Sequence, residues 1–492
     1  MERKAYTLII IAAVLFCLTF PPLTFGFLAY FFGVFLIYAL EKKKNFEAFR
    51  LGYIFGLITN SILLYWIGYA TIPGTIGAIL ALSFYTAVLF LIYAQVQKIA
   101  KESTYLLFPF LWVGMEFGRS LLDIGFPWLN LAYTQTYYLK LIQHASFTGA
   151  YGVSFWVACL NVIAYFGIKN FPNIKKLTLA FALFFLFIII PYIHGTKVMP
   201  EKIEKGDLKI ALLQGSIEQH IKWDPKYLDY NFQVYTKMSK EAAKKGVDLI
   251  IWPETATPTY LLHDPKYFNV VISLAESLKT PIFTGGLHFE NPSYDEYTYY
   301  NSAFLFTPDG DYPKIYSKIR LVPFSERMPF GQIIPFIRRI QVGGSDFTPG
   351  EDYVIFEHPK GKFACLICFE SVFPDLVRDF ASRGADFLVN VTNDAWFGKS
   401  PGPFQHSRIA IFRAIENRIS IARCANTGVS MLVDPYGRVY NQTRIFVQEN
   451  VVDDISLRKN KTFFTEYGDF FGKGSFLISI LFFGLSFLLK KL

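Results

Sequence analysis

The sequence predicts a protein with two parts: a multi-span α-helical membrane domain and an α/β domain on the outer side of that membrane. The first observation is composition: the 492 residues are 52% hydrophobic and 18% aromatic, with a mean hydropathy of +0.31, too apolar for a soluble chain. The second is distribution, because long apolar runs fill residues 1–195 and 470–489, whereas residues 200–465 have the charge and turn content of a soluble domain. The third is the placement of basic residues in the short loops.

The membrane domain is predicted to cross the bilayer eight times, since a spanning helix needs about 20 mainly apolar residues. Seven spans lie in residues 1–195, and the eighth begins the segment 470–492, which ends in a cytoplasmic tail. The predicted spans are 6–20, 23–40, 51–71, 76–97, 104–123, 148–168, 177–194 and 472–489. A cleaved signal peptide is the alternative for residues 1–20, but the Pro21-Pro22 turn and the immediate second span favour a helical hairpin.

The loops between these spans differ in charge. If every span crosses, one face collects Arg3, Lys4, Lys42, Lys43, Lys44, Arg50, Lys98, Lys101, Lys169, Lys175, Lys176, Lys490 and Lys491. On the opposite face, the loops 21–22, 72–75 and 124–147 contain one basic residue, Lys140. Because basic loops are retained in the cytoplasm, we expect residues 200–465 on the outer face of the membrane, outside the cytoplasm. The net charge of +9 then indicates contact with anionic lipid and requires no nucleic acid.

The outer domain alternates strands and helices, which favours a mixed α/β sheet. Strands are predicted at 208–216 and 247–254 and in "PIFTGGLHF", "NSAFLFTPDGDYPKIYSK", "FACLIC", "ADFLVNVTND", "SIARCAN" and "GVSMLVDPYGRVY", with helices at 225–246, 371–384 and 404–418. Ligand chemistry in such sheets gathers at the carboxyl ends of strands. Glu254, Cys368 and Asn393-Asp394 stand at such ends, which makes them candidates for a site.

Cys365 and Cys368 form a C-x-x-C pair in "CLICFES". Residues three apart in a strand face opposite sides, so a disulfide has poor geometry, and no second Cys or His pair stands at zinc spacing. Two alternatives remain: two inert core cysteines, or a nucleophile at Cys368 whose thiolate is favoured by the N-terminus of the following helix. The sequence predicts neither a metal nor another cofactor.

Three motifs in order resemble the nitrilase superfamily, whose catalytic triad is Glu, Lys and Cys. They are "WPETATP" with Glu254, "YSKIRLVPFSE" with Lys318 and "CLICFES" with Cys368. Together with "GFPWLNLAYTQ", "QGSIEQHIKWDP", "NDAWFG" and the flanking spans, the resemblance extends over essentially the whole chain to the membrane-bound branch, the apolipoprotein N-acyltransferase family. It implies an α-β-β-α sandwich, a phospholipid acyl donor and a diacylglyceryl-modified apolipoprotein acceptor.

The chemistry of these side chains agrees with acyl transfer by a ping-pong route. Such a reaction needs a nucleophile, a base and positive charge at the developing oxyanion. Cys368 would form the thioester, Glu254 would accept the thiol proton, and Lys318 with the backbone N–H of Phe369 would hold the oxyanion.

The resemblance also implies supporting residues. Glu326 and Glu370 resemble the carboxylates that position the lysine and stabilise the acyl intermediate. Asn301 matches a position near the site, although an Asn that opens a strand is also typical of a turn cap. Trp223 and Trp396 resemble residues of the acyl pocket and gating loop, with anchoring at the membrane interface as the alternative.

Four further residues are predicted to have structural roles or none. Glu116 and Arg119, three apart in the fifth predicted span, are expected to form a structural pair across one helix turn. His220 and His406 have no evident partner in the sequence and are assigned no role. The apolar segment 328–344, with two arginines in its middle, predicts an amphipathic lid on the membrane, or alternatively a packed helix with snorkelling arginines.

Two other classes of protein share some of these features. A membrane-tethered amidase or lipid hydrolase would use the same triad, but one anchor helix would suffice for it. A transporter with an outer sensing domain should carry ionisable residues at the bilayer midplane and repeat-related helices. The acyltransferase interpretation explains both parts of the chain, and we expect the protein to act as a monomer.

Overall fold

The computed structural model describes residues 2–203, 205–206, 208–293, 296–330 and 346–489. The chain divides into two compact units. A helical unit comprises Met1–Met199 with Tyr467–Leu492, and an α/β unit comprises Pro200–Glu466. Most of the predicted lid, residues 331–344, lies outside the described residues.

Helices are present in both units. Within the described residues the α-helices are α1 (Glu2–Cys17), α2 (Phe32–Leu40), α3 (Asn45–Leu64), α4 (Ile72–Ala100), α5 (Phe108–Gly118), α6 (Ala145–Lys169), α7 (Ile174–Val198), α8 (Gln219–Lys222), α9 (Leu228–Ala243), α10 (Pro265–Leu278), α11 (Pro374–Ser382), α12 (Gly402–Asn417), α13 (Phe463–Tyr467) and α14 (Phe470–Leu488).

The helical unit has the properties of a membrane domain. By length and composition, five helical stretches of the described chain could cross a bilayer: Asn45–Tyr69, Ile72–Gly118, Ala145–Lys169, Ile174–Val198 and Phe470–Leu488. Helix α7 presents Phe181, Leu186 and Ile190 on its surface. Such a large exposed apolar face is unfavourable in water and is stable against lipid.

The first two predicted spans are shorter in the structure than a full crossing helix. Helix α1 has 16 residues, and the stretch predicted at 23–40 consists of a 3-10 turn at Gly26–Tyr30 and the nine-residue α2. The break falls at Pro21-Pro22, because proline lacks an N–H and its ring clashes with a preceding helical turn. The spans predicted at 76–97 and 104–123 are joined by a 3-10 segment into one apolar stretch of 47 residues. The number of crossings therefore stays a prediction.

Glu116 and Arg119 are buried and their charges interact as predicted, but the hydrogen bonds described for each go to other groups. The Glu116 carboxylate accepts hydrogen bonds from the indole N–H of Trp112 at 2.9 Å and the backbone N–H of Leu131 at 2.6 Å. The Arg119 guanidinium donates to Asn130 Oδ1 at 2.9 Å. Both charges thus satisfy polar groups of the segment that follows α5, which is a structural role.

The α/β unit contains two mixed sheets where the strand pattern predicted one. Its described strands are β1 (Leu208–Gln214), β2 (Leu249–Ile251), β3 (Thr257–Tyr260), β4 (Ile282–Ser293), β5 (Glu296–Phe306), β6 (Lys314–Ser317), β7 (Ile355–His358), β8 (Gly361–Ile367), β9 (Phe387–Thr392), β10 (Ser420–Ala425), β11 (Met431–Val433), β12 (Val439–Tyr440) and β13 (Glu449–Ile455). The first sheet has the order β13-β1-β2-β4-β5-β6, with β3 beside β4, and the second has the order β12-β11-β10-β9-β8-β7.

The two sheets form the centre of a four-layer sandwich. They meet through β1 with β10 and β5 with β8, while α9 and α10 pack on the first sheet and α11 and α12 on the second. Strands β1, β2 and β4 run parallel to one another, as do β8, β9 and β10. The core strands are buried on both faces and therefore read as continuous apolar runs. The α-β-β-α arrangement that the family resemblance implied is the observed one.

Candidate active site

Glu254 lies on a tight turn three residues after β2. The strand is shorter than predicted because Pro253 cannot donate a hydrogen bond to the sheet. Thr255 adopts a left-handed backbone with φ of 46°, which is rare for a β-branched residue. Strand β4 passes so close that a Cβ on Gly285 would lie 2.7 Å from the Glu254 Cα. The backbone therefore fixes the direction of this carboxylate, which is almost fully buried.

Lys318 follows β6, and its side chain is fully buried. The Lys318 Nζ donates a hydrogen bond to Glu326 Oε1 at 2.8 Å and lies 3.8 Å from Glu254 Oε1. Burial lowers the pKa of Lys318, but the carboxylates of Glu326 and Glu254 raise it more, so the net pKa is above that of an ordinary lysine. The ammonium group is therefore charged at any pH at which the enzyme would work.

Asn301 connects the two carboxylates of the site. Its Nδ2 donates to Glu254 Oε1 at 2.9 Å and to Glu326 Oε1 at 3.0 Å. It lies within β5 and does not open the strand, so the alternative of a turn cap is wrong. Glu326 is held in turn by the backbone N–H of Val322, which donates to Oε2 at 2.8 Å.

Cys368 directly follows β8, at a sharp turn. Its φ of 52° is in the left-handed region, and the chain continues as a 3-10 helix over Cys368–Val372 before α11 begins at Pro374. The predicted direct entry into an α-helix is therefore replaced by one tight turn, which also contains the buried Phe369. Cys365 is a free thiol, fully buried in the strand, and Cys368 is a free thiol that is half-buried.

The surroundings of Cys368 raise the pKa of its thiol above that of an ordinary cysteine. Burial raises the pKa of the thiol, and the nearby Glu254 carboxylate raises it further, while Lys318 and a hydrogen bond with Thr392 act in the opposite direction. The helix N-terminus expected beside this thiol is a short 3-10 turn in the structure, so a thiolate favoured by that turn stays a prediction. Because its pKa is raised, the thiol needs a base at the moment of attack. Burial also raises the pKa of Glu254, so that carboxylate is a stronger base than usual.

Glu370 fastens the nucleophile turn to the chain around the lysine. Its Oε1 accepts hydrogen bonds from the Tyr316 hydroxyl at 2.7 Å and from the backbone N–H groups of Ile319 and Arg320 at 2.7 and 3.1 Å. Its Oε2 accepts from the N–H of Ile367 at 2.7 Å. Burial raises the pKa of Glu370 to about 6. The side chain thus fixes the two halves of the site relative to each other.

His406 has buried partners that the sequence did not reveal. Its Nδ1 lies 2.8 Å from Asp394 Oδ1, and its Nε2 lies 3.2 Å from both the Cys368 carbonyl oxygen and the Ser371 hydroxyl. Arg423 donates to Asp394 Oδ2 at 2.8 Å. Through the contacts of His406, this cluster holds the backbone of the turn at Cys368 in place. "NDAWFG" placed Asp394 near a strand end, but only the packing of α12 brings the histidine to it.

The remaining predicted residues lie on the surface. Trp223 follows α8 and is 40% exposed, and Trp396 lies in a 3-10 turn and is 46% exposed. Their roles stay predictions. His220 is exposed and has a partner after all, since its Nδ1 lies 3.4 Å from Glu218 Oε2.

A sandwich of this topology with Glu, Lys and Cys side chains at one site defines the class, the nitrilase superfamily. Comparison with known proteins agrees: residues 209–458 match the carbon-nitrogen hydrolase family, and residues 12–163 match the apolipoprotein N-acyltransferase N-terminal domain. The chain belongs to the apolipoprotein N-acyltransferase family, an acyltransferase family, as the motifs predicted.

Relatives of similar length support this assignment. The chain is 36% identical over 489 residues to the apolipoprotein N-acyltransferase of Geobacter metallireducens, covering 96% of this chain and 93% of that one. It is 32% identical over 480 residues to the enzyme of the same name from Chlorobaculum tepidum, covering 92% of this chain and 90% of that one.

Among solved structures, an amidase of the nitrilase superfamily from Nesterenkonia matches 56% of this chain and 96% of its own, at 17% identity and a TM-score of 0.40.

Proposed function

We propose that this enzyme moves a fatty acyl chain from a membrane phospholipid to the α-amino group of the N-terminal S-diacylglyceryl cysteine of an apolipoprotein. The products would be a triacylated lipoprotein and a lysophospholipid. The observation that carries the proposal is the buried Glu254–Lys318 pair beside the free, half-buried Cys368 thiol, in a chain whose other unit is apolar enough for a membrane. The names of the relatives support the choice of acceptor.

The first half-reaction forms a thioester. Glu254 accepts the thiol proton as the sulfur of Cys368 attacks the ester carbonyl of the phospholipid. Lys318 and the backbone N–H of Phe369 stabilise the oxyanion that develops. When the carbon–oxygen ester bond breaks, the proton passes from Glu254 to the departing lysophospholipid oxygen, so the site returns to its starting charge.

The second half-reaction consumes the thioester. The acceptor amine attacks the carbonyl, Glu254 takes one of its protons, and the sulfur leaves and recovers that proton as a thiol. Glu326 and Asn301 keep the base and the lysine in place through both steps, and Glu370 holds the turn. The exposed rings of Trp223 and Trp396 are suited to contact an acyl chain.

The substrates place the site at a membrane surface. We propose that the chain is a multi-pass protein of the bacterial inner membrane, with residues 200–465 on the periplasmic or outer face. The excess of Lys and Arg in alternate short loops supports this orientation. A lipid hydrolase is the second candidate, because the triad alone would also catalyse attack by water.

The test is formation of the acyl-enzyme without an acceptor. Purified protein given phospholipid alone should gain the mass of one acyl chain on Cys368 and release one lysophospholipid per enzyme in a burst. Glu254→Gln and Lys318→Met should lose the burst. Glu241→Gln and Lys240→Met, which alter exposed charges on α9, should keep it. Absence of the added mass from active wild-type protein would contradict the thioester route.

A further inference from the structure

Lys222 is a buried cation that the proposed reaction does not use. It is the last residue of α8, and its side chain is only 2% exposed. Its Nζ donates hydrogen bonds to the backbone carbonyl of Glu254 at 3.0 Å and to Thr255 Oγ1 at 2.7 Å. A buried ammonium is costly unless its donors are satisfied and an opposite charge is near. Both hydrogen bonds of the Lys222 ammonium, and the opposite charge near it, belong to the turn that carries Glu254.

The turn at Glu254 needs such support. Thr255 occupies the left-handed region, which is unfavourable for a β-branched residue and persists only where the surroundings hold it. Lys222 binds the carbonyl just before this residue and the hydroxyl of the residue itself, so it holds the strained peptide on both sides. Since that peptide sets the direction of the Glu254 side chain, Lys222 controls the base through the backbone.

The segment around Lys222 is itself anchored. Asn231 on α9 donates to the Lys222 carbonyl at 3.0 Å. Further back, the Asn426 side chain accepts from the backbone N–H of Ile217 at 3.1 Å and donates to Asn393 at 3.1 Å. The backbone that carries Lys222 is therefore held in place, and so is the ammonium group that binds the Glu254 turn.

Charge adds a second effect. The charged group that faces the Lys222 ammonium is Glu254. The Thr255 hydroxyl also contacts the ammonium, and the centre of the Trp223 ring lies 5.9 Å from Nζ. Burial lowers the pKa of Lys222 to about 7, with Glu254 acting in the opposite direction. Below that pH the charged lysine opposes the burial that raises the pKa of Glu254. Its charge thus lowers the pKa of Glu254 in the same direction as the larger effects of Lys318 and Asn301.

We propose that Lys222 is a positioning residue of the active site, which fixes the turn that carries Glu254 and supplies positive charge behind the base. This inference rests on the proposed function, since it assigns Glu254 the role of base. It adds to the triad a residue from outside all three motifs that identified the triad.

The test compares Lys222→Met with Lys222→Gln. The methionine variant removes both the donors and the charge, whereas the glutamine variant keeps N–H donors and removes only the charge. At saturating phospholipid, Lys222→Met should slow acyl-enzyme formation by about tenfold to a hundredfold, as expected for a slightly misdirected catalytic group. The acid limb of its pH profile should move to higher pH, with the half-saturating phospholipid concentration unchanged. Lys222→Gln should recover part of the rate but keep the shifted acid limb.

Lys226→Met, which alters an exposed lysine four residues further on, is the matched control and should behave as wild type. Wild-type acid limbs in both Lys222 variants would overturn the inference, even if their melting temperatures fall, because a purely structural lysine would lower stability alone. If Lys222→Met does not fold, the acid limb of Lys222→Gln decides. If wild-type protein forms no acyl-enzyme, the proposed function fails first, and that result is distinct from normal Lys222 variants of an active enzyme.

Discussion

Replacement of Asn301 by Leu removes the amide that binds both carboxylates of the site while nearly keeping the side-chain volume. Two hydrogen bonds to charged acceptors are lost, at 2.9 and 3.0 Å, and each such bond contributes about 1.5–3 kcal/mol. Only the bond to Glu254 acts directly on the base. A loss of about 1.5–3 kcal/mol from the transition state corresponds to a rate of acyl-enzyme formation lower by about tenfold to a hundredfold.

The same substitution should change the pH profile. Asn301 and Lys318 lower the pKa of Glu254, against the burial that raises it. Because the base works as the carboxylate, activity is lost as pH falls through its pKa, which already lies above the ordinary Glu value. Removal of the amide raises that pKa further, so the acid limb of Asn301→Leu should lie at higher pH than that of wild type.

The assay is the burst of lysophospholipid, measured by rapid quench over a range of pH, together with the mass of the Cys368 peptide. The control is Asn450→Leu in β13, a strand of the same sheet, which loses a hydrogen bond from Nδ2 to the carbonyl of Met238 in α9. It should lower stability and leave the acid limb in place. An Asn301→Leu enzyme with a wild-type burst rate and acid limb would refute the reasoning that Asn301 tunes the base.

Three further outcomes follow from the structure. Cys368→Ala should abolish acyl transfer, whereas Cys365→Ala should cost about 1 kcal/mol of packing at most; loss of activity in both, with no free thiols in the untreated protein, would favour a redox pair. Gly285→Ala should slow acyl-enzyme formation severely with the fold intact by circular dichroism, because its Cβ would collide with the base's backbone at 2.7 Å; normal kinetics would contradict this close approach. An alkaline phosphatase fusion after Tyr260 should be active and one after Lys176 inactive; the reverse pattern would contradict an extracytoplasmic site.

The meeting of Glu254, Lys318 and Cys368 at one site could be predicted from sequence because each of them sits in a local signature. Glu254, Lys318 and Cys368 each follow a strand, where a short motif determines both the turn and the side chain that the turn carries. The strand alternation also predicted the α/β class. What the motifs could not show is the register between distant elements, which depends on packing.

The contacts of Asn301 and His406 illustrate that limit, although the family resemblance had already placed Asn301 near the site. Asn301 reaches Glu254 across 47 residues of sequence because β5 and β4 pair beside the turn at the end of β2. His406 reaches the Cys368 carbonyl from α12, across 38 residues. Neither contact leaves a periodic or compositional signal. The first two helices are shorter than predicted because Pro21 and Pro22 interrupt them. A span predicted from hydropathy alone does not take proline into account.

The most direct test of the central claim is discharge of the thioester by an amine. Wild-type protein is first loaded with phospholipid until Cys368 carries the acyl mass, and is then mixed with a diacylglyceryl-cysteine peptide whose N-terminal amine is free or acetylated. The proposed mechanism predicts that the free amine removes the acyl group from Cys368 and gains it as an amide, while the acetylated peptide leaves the thioester intact. Steady phospholipid hydrolysis without a peptide, at a rate comparable to transfer, would contradict it and identify a lipid hydrolase.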